Sequence, residues 1–362
     1  MSLNLSELPL NILITAPGLD ASQNVSGISS VALVITKNSS HSFHHYRLGS
    51  KDGTSKGLIW LFSLLYAYMK LPFYLRKNKI DIVHLNIPCD MKGVIREFFM
   101  TWVSNMCKKR VVAHLHGGIY MTEKIDNRLI AAMFGYILNK SSVVIVLSDV
   151  EKRYLSAAYR FDGAVVLSNS IEPGEKRKMF AADQSPCLLY LGRIEKNKGI
   201  DEIVEAFAKL YKERRFRFIL CGEGPDRVWF EKALSDIMGG DFEYMGIVSG
   251  GKKAEAISQS DVFILPSYFE GLPMALLETM GYGVVPVVSS VGSIPEVVEH
   301  KENGILIEKK SAGDLYLKLN ELLNDRDLIC RLSDRAYDTI KERFNVSRFI
   351  SRLNTIYREI AG

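Results

Sequence analysis

The feature that most restricts the fold of this chain is a repeated alternation of short apolar runs with longer helical stretches. Leu10–Thr15, His41–Tyr46, Asp81–Asn86, Arg110–Leu115, Ser142–Leu147 and Ala164–Leu167 read as strands, and residues 58–77, 91–107, 123–138 and 149–158 read as the helices between them. Runs that are apolar throughout, rather than at every second position, predict strands buried on both faces. Strands that alternate with helices predict a parallel sheet covered on both sides. The rhythm breaks over Ser170–Ser185, which is polar and carries Pro173 and Gly174, and resumes with strands at 187–191, 216–221, 242–245, 262–265, 284–288 and 305–307. With 362 residues to place, the simplest outcome is two Rossmann-like α/β domains in tandem: residues 1–171, a linker at 172–185, and residues 186–345. The last helix, within 346–362, is expected to pack back on the first domain.

Charge and composition narrow the function classes. A hydrophobic content of 47% with 24% charged residues is that of a soluble globular protein. Cys89, Cys107, Cys187, Cys221 and Cys330 are scattered without a CxxC pair, which favours a reduced compartment and disfavours a structural zinc site. The N-terminal residues carry no signal-like pattern, and the longest apolar run, Leu58–Leu75, is interrupted by Lys70 and Pro72. The expected location is therefore cytoplasmic. Residues 1–171 hold 19 Lys and Arg against 11 Asp and Glu, so the front half is basic while the rest is slightly acidic. Basic clusters at Arg76–Lys79 and Lys108–Arg110 flank the aromatics Trp60, Phe62, Tyr66, Tyr68, Phe98, Phe99 and Trp102. Two readings stand side by side: the aromatics are the buried faces of two core helices, or they dock on the anionic inner face of a membrane. Nucleic acid is the poorer partner, because no recognition motif accompanies the modest excess.

In open α/β sheets the ligand crevice lies at the carboxyl ends of the strands, so the loops there are the place to look for chemistry. After the strand at 187–191 comes Gly192-Arg193-Ile194-Glu195-Lys196-Asn197-Lys198-Gly199, two cations on a glycine-bounded loop that suits a diphosphate. Gly222-Glu223-Gly224-Pro225 follows the next strand, and Met245–Val248, including Ile247, follows the one after it. The run Asp261–Ser267 then leads into Phe269-Glu270-Gly271-Leu272-Pro273-Met274-Ala275-Leu276-Leu277-Glu278. Here a strand, a loop and a helix with Pro273 in its first turn would aim the backbone N–H groups of Gly271, Leu272 and Met274 at an anion, bracketed by Glu270 and Glu278. Ser289–Glu296 reads as one more loop-to-helix junction.

These motifs in order (Gly-Arg-x4-Lys-Gly, Gly-x-Gly-Pro, Glu-x7-Glu within Pro-Ser-x-x-Glu-Gly-x-Pro, and Gly-Ser-Ile-Pro-Glu at 292–296) resemble glycosyltransferase family 4, the retaining sugar transferases of GT-B fold, of the bacterial surface-polysaccharide type. The resemblance covers most of the second domain and, more loosely, the first. It implies two Rossmann-like domains facing each other across a cleft. Arg193 and Lys198 would hold the donor diphosphate, Glu278 the nucleotide ribose, and Glu270 the transferring sugar and its positively charged transition state. Gly222 and Ile247 would add donor contacts, and no cofactor or metal would be required. In the first domain it implies that Gly27, with Ser26 in place of a second glycine, approaches the donor phosphate. It also implies that His116, one of the pair His114 and His116, reaches the donor sugar or the acceptor. Asn86 would line the acceptor side, His84 would pack in its strand, and Asn169 carries no assigned chemistry. The expected partners are a nucleotide sugar, UDP before GDP, and a glycan or lipid-linked acceptor. A non-catalytic protein on the same fold, a sugar-nucleotide epimerase and a phosphorylase are the rival readings. Asp325-Arg326-Asp327 is read as a helix cap rather than a metal motif.

Overall fold

The computed structural model describes residues 9–19, 27–48, 58–176 and 185–362. It divides into two compact units, the first holding residues 28–169 and 346–362 together with the opening strand, the second holding residues 170–345 together with Gly27.

The first unit is a six-stranded parallel sheet. Its strands β1 (Asn11–Ala16), β2 (Ser42–Arg47), β3 (Ile82–Ile87), β4 (Arg110–Leu115), β5 (Val143–Val146) and β6 (Ala164–Val166) lie in the order β2-β1-β3-β4-β5-β6. The helices are α1 (Gly27–Asn38), α2 (Leu58–Lys77), α3 (Met91–Met106), α4 (Arg128–Lys140) and α5 (Asp149–Tyr159). The core is what the apolar runs predict: Val83, Leu85 and Ile87 of β3, Val111 and Ala113 of β4 and Val144 of β5 are all closed to solvent, packed with Val94, Met100 and Phe134 from the helices. α4 starts at Arg128 rather than at residue 123. Asn127 stops it, accepting from the N–H groups of Leu129 and Ile130 as an N-cap.

The second unit repeats the plan. Its strands are β7 (Cys187–Leu191), β8 (Arg217–Cys221), β9 (Phe242–Gly246), β10 (Val262–Leu265), β11 (Val285–Ser289) and β12 (Ile305–Ile307), ordered β12-β11-β10-β7-β8-β9 and all parallel. Between and after them run α6 (Ile200–Glu213), α7 (Arg227–Met238), α8 (Gly250–Ser258), α9 (Met274–Met280), α10 (Ala312–Asn324) and α11 (Arg326–Arg343). Asp325 caps α11 by accepting from the Leu328 N–H at 2.8 Å, the role read from its position. The junction at 289–296 differs from the reading: Ile294–Glu296 is a single 3-10 turn that is not continued as an α-helix.

The last helix, α12 (Val346–Ala361), belongs to the first unit. Phe349, Ile350, Leu353, Ile356 and Tyr357 form its buried side, spaced at three and four residues. Ser39 donates to Asn354 Oδ1 at 2.8 Å, and Tyr357 reaches His84 in the centre of the sheet.

Candidate active site

In the second sheet the chain runs outward from β7 through β8 to β9, then returns to the other side of β7 to lay down β10, β11 and β12. The strand order reverses between β7 and β10, the position at which open α/β sheets bind their ligands, beside the loops that follow those two strands. Those loops are residues 192–199 and 266–273, the two stretches richest in chemistry.

The structure ties them together. Lys198 Nζ lies 2.7 Å from Glu270 Oε1, and Ser267 Oγ donates to the same oxygen at 2.7 Å. The Tyr268 N–H donates to the Asn197 carbonyl at 2.9 Å. Gly199 has a φ of +74°, and a Cβ there would stand 2.2 Å from the Pro266 carbonyl oxygen, so only glycine lets the loops approach this closely. Gly292, at φ +56°, plays the same part against the Glu270 carbonyl, where a Cβ would come to 1.9 Å. The Glu270 loop is thus clamped by backbone on both sides.

Glu278, one turn into α9, pairs with Lys253 Nζ of α8 at 2.7 Å. The two carboxylates share one design. Each gives Oε1 to a lysine, and each keeps Oε2 unengaged among the described residues. Both side chains are mostly buried, 12% and 19% exposed, so they are held in place by their lysines while an acceptor oxygen stays open for a ligand hydroxyl. Arg193 leaves its guanidinium about half exposed, with Nε 3.8 Å from Glu195 Oε2. Its carbonyl accepts from the Tyr190 hydroxyl at 2.5 Å, and burial, followed by the nearby Glu270 and Glu195 carboxylates, pushes that phenol well up and keeps it a donor.

Two points differ from the sequence reading. Pro273 has φ −65° and ψ 126° and is the N-cap rather than part of the first turn. α9 itself is only seven residues long and sums few peptide dipoles, so positive charge near this junction comes chiefly from Lys198 and Lys253. Gly271 accepts from the Ser293 N–H at 3.1 Å, and the side chains of Leu272 and Met274 turn into the core at 4% and 6% exposure. What these three can offer a ligand is backbone. Gly222 donates to the Gly246 carbonyl at 2.8 Å, and Ile247 follows β9 half-buried. Lys253 and Ser267 are the residues that sequence reasoning missed. Ser267 stood inside the quoted Pro-Ser motif, whereas nothing local marks Lys253, an ordinary lysine on a surface helix.

The first unit holds a second cluster. His114 lies within β4 and His116 immediately past it, with ring centroids 4.1 Å apart. His84 of β3 bridges His114 Nδ1 (Nε2 at 3.3 Å) and the Tyr357 hydroxyl (Nδ1 at 2.7 Å). Asn86 does not line an acceptor surface: it is 1% exposed, and both ends of its amide have partners. Its Nδ2 donates to the Thr15 carbonyl at 2.8 Å, which can only accept, so Oδ1 faces His116 Nε2 at 2.7 Å. His116 Nε2 must then be the donor. In the neutral ring Nδ1 carries the lone pair, and Asn86 fixes that tautomer. Gly27 opens α1, and Ser26 lies outside the described residues. Asn169 is buried at the end of the first unit.

Burial lowers all three histidines, His84 and His116 to about 3 and His114 well below its usual value; at His114 and His116 the neighbouring imidazoles add to the effect. Their unfolded value is about 6.5, so below it the unfolded chain binds protons that the folded cluster refuses. Stability is therefore full above about pH 6.5 and falls as the pH drops toward 3, by up to about 1.4 kcal/mol per pH unit for each ring. Thermal unfolding followed at pH 7.5 and pH 5 should show a clearly lower midpoint at pH 5, and equal midpoints would contradict this arrangement.

Comparison with known proteins fits this geometry. Residues 172–339 match the family model of glycosyl transferases group 1, and residues 33–175 match that of glycosyltransferase family 4. An uncharacterized glycosyltransferase of Methanocaldococcus jannaschii is 22% identical over 324 residues, covering 83% of this chain and 81% of its own. The N,N'-diacetylbacillosaminyl-diphospho-undecaprenol alpha-1,3-N-acetylgalactosaminyltransferase of Campylobacter jejuni is 31% identical over 166 residues, 45% of this chain and 43% of that one. Among solved structures, the HepE protein of Anabaena in complex with UDP-glucose superposes with a TM-score of 0.77 at 14% identity, covering 97% of this chain and 100% of that chain. At that identity the likeness is one of fold.

Proposed function

This chain being a glycosyltransferase of the family 4 type, built on the GT-B fold, we propose that it moves a hexose-type sugar from UDP to a hydroxyl of a glycan or lipid-linked acceptor, with retention of anomeric configuration and without a metal, in polysaccharide or glycoconjugate assembly. The observation that carries the reading is the convergence of Lys198, Glu270 and Ser267 at the strand-order reversal, with Glu278 and Lys253 on the helices beside it. UDP is favoured over GDP by the HepE complex, and a lipid-linked acceptor by the name of the Campylobacter relative.

In this reading Arg193 and Lys198 face the diphosphate. As the bond from the anomeric carbon to the diphosphate oxygen breaks, the electron pair leaves with UDP, and the two cations offset the growing negative charge where a metal would otherwise be needed. Lys198 is then shared between the leaving group and Glu270. The free Oε2 of Glu270 accepts from sugar hydroxyls and opposes the positive charge that develops on the ring, while Glu278 Oε2 accepts from the ribose. Backbone at Gly27, Gly222, Ile247, Gly271, Leu272 and Met274 completes the donor contacts. His116, neutral with its lone pair on Nδ1, accepts from a hydroxyl of the donor sugar or acceptor. The acceptor oxygen forms its new bond on the face the diphosphate leaves, and its proton passes to the departing oxygen.

Retention is tested without knowing the acceptor. Slow hydrolysis of the bound UDP-sugar, followed by proton NMR, should release first a sugar with the donor's own anomeric configuration. A first-formed product of the opposite configuration would contradict the reading.

A further inference from the structure

The outer face of α2 bears more apolar surface than a water-facing helix can use. Phe62, Leu65, Tyr66, Met69 and Phe73 recur at three- and four-residue spacing and so fall within about 100° of arc. They are 67%, 49%, 64%, 81% and 67% exposed. Leu71 and Leu75, on the other side of the same helix, are sealed in the core. Packing against the sheet accounts for only one apolar face, and the second faces outward.

Charge decides what that face suits. α2 carries Lys70, Arg76 and Lys77 and no Asp or Glu, and Lys79 lies two residues past its end. At 3.6 residues per turn Lys70 and Lys77 edge the stripe on one side, and Arg76 falls within it near the Leu65 side. All three are exposed, and the Lys70 ammonium lies 5.8 Å from the Tyr66 ring centroid, alongside the stripe. A second copy of the chain would set the same cations against one another, since a two-fold contact pairs a patch with itself. A surface that is anionic above and apolar beneath answers both features at once. We propose that α2 docks on a bilayer containing anionic lipid, with Phe62, Leu65, Tyr66, Met69 and Phe73 in the boundary between headgroups and acyl chains and Lys70, Arg76 and Lys77 on lipid phosphates. The helix lies on the membrane rather than across it, as no described helix is long and apolar enough to span. The other aromatics divide: Tyr68 packs against Phe99 of α3 and donates to the Arg96 carbonyl, Phe98 is half-buried, Trp102 is exposed, and the side chain of Trp60 lies outside the described ones.

The inference rests on α2 alone and is independent of the donor site. Flotation of the full chain with vesicles of equimolar phosphatidylglycerol and phosphatidylcholine at low salt should carry the protein upward. Binding should be at least about tenfold weaker with phosphatidylcholine alone, in about 0.5 M salt, or for the triple variant F62S/M69S/F73S. Because the three side chains are exposed, that variant should keep the parent's melting curve and UDP affinity, which separates lost docking from lost folding. Three outcomes would overturn the proposal: no flotation at low salt, flotation that the triple variant retains in full, or a dimer in light scattering that the triple variant dissolves.

Discussion

Replacing Glu270 with Gln is expected to lower turnover by about 10³-fold while changing the UDP dissociation constant by no more than about threefold. The substitution keeps the shape and the acceptor that Ser267 uses at 2.7 Å, and removes the negative charge. Uniform loss of binding would raise KM and leave turnover intact, whereas a charge that matters as the ring becomes positive shows in turnover alone. Steady-state kinetics beside calorimetric titration of UDP separates these. A Gln variant within about tenfold of the parent would remove Glu270 from the chemistry.

Lys198→Ala is expected to cost at least as much in turnover, about 10³-fold, and in addition to weaken UDP binding by about tenfold. Two effects combine at this side chain. The ammonium would oppose charge on the leaving diphosphate, and it also holds Glu270 at 2.7 Å, a carboxylate only 12% exposed that would otherwise keep one hydroxyl partner. The two losses are therefore coupled. In the Glu270→Gln background Lys198→Ala should cost clearly less than in the parent, by a coupling energy of about 1–3 kcal/mol. Strict additivity would show that the lysine acts on the donor without acting through the glutamate.

The central strands were legible because they are apolar throughout and closed to solvent on both faces, as Val262–Leu265 and Val285–Ser289 are, whereas the edge strands β2 and β9 carry polar, partly exposed residues and were legible from the strand–helix alternation. Helix limits were legible where a cap was explicit, as at Asp325, and misplaced where the capping Asn127 followed a polar lead-in that also suited a helix. The glycine-bounded loop 192–199 and the Glu270–Glu278 run could be placed beside one another because parallel strands put successive loops at one edge of the sheet. What no local pattern carries is pairing across the fold. Lys253 meets Glu278 from a different helix, and Tyr357 meets His84 across 273 residues. Asn86 looked like a surface-lining polar residue, yet its amide is spent fixing the His116 tautomer. For α2 the sequence offered apolar residues on every side of the helix, and periodicity cannot say which of two apolar faces the sheet covers.

The measurement that tests the central claim most directly is calorimetric titration of the full chain with UDP, GDP and ADP, each with and without Mg²⁺, repeated on Arg193→Ala. The account predicts that UDP binds most tightly, that Mg²⁺ leaves its affinity unchanged, and that the substitution weakens it by about tenfold or more. Binding that requires Mg²⁺, or a UDP affinity indifferent to Arg193, would contradict it.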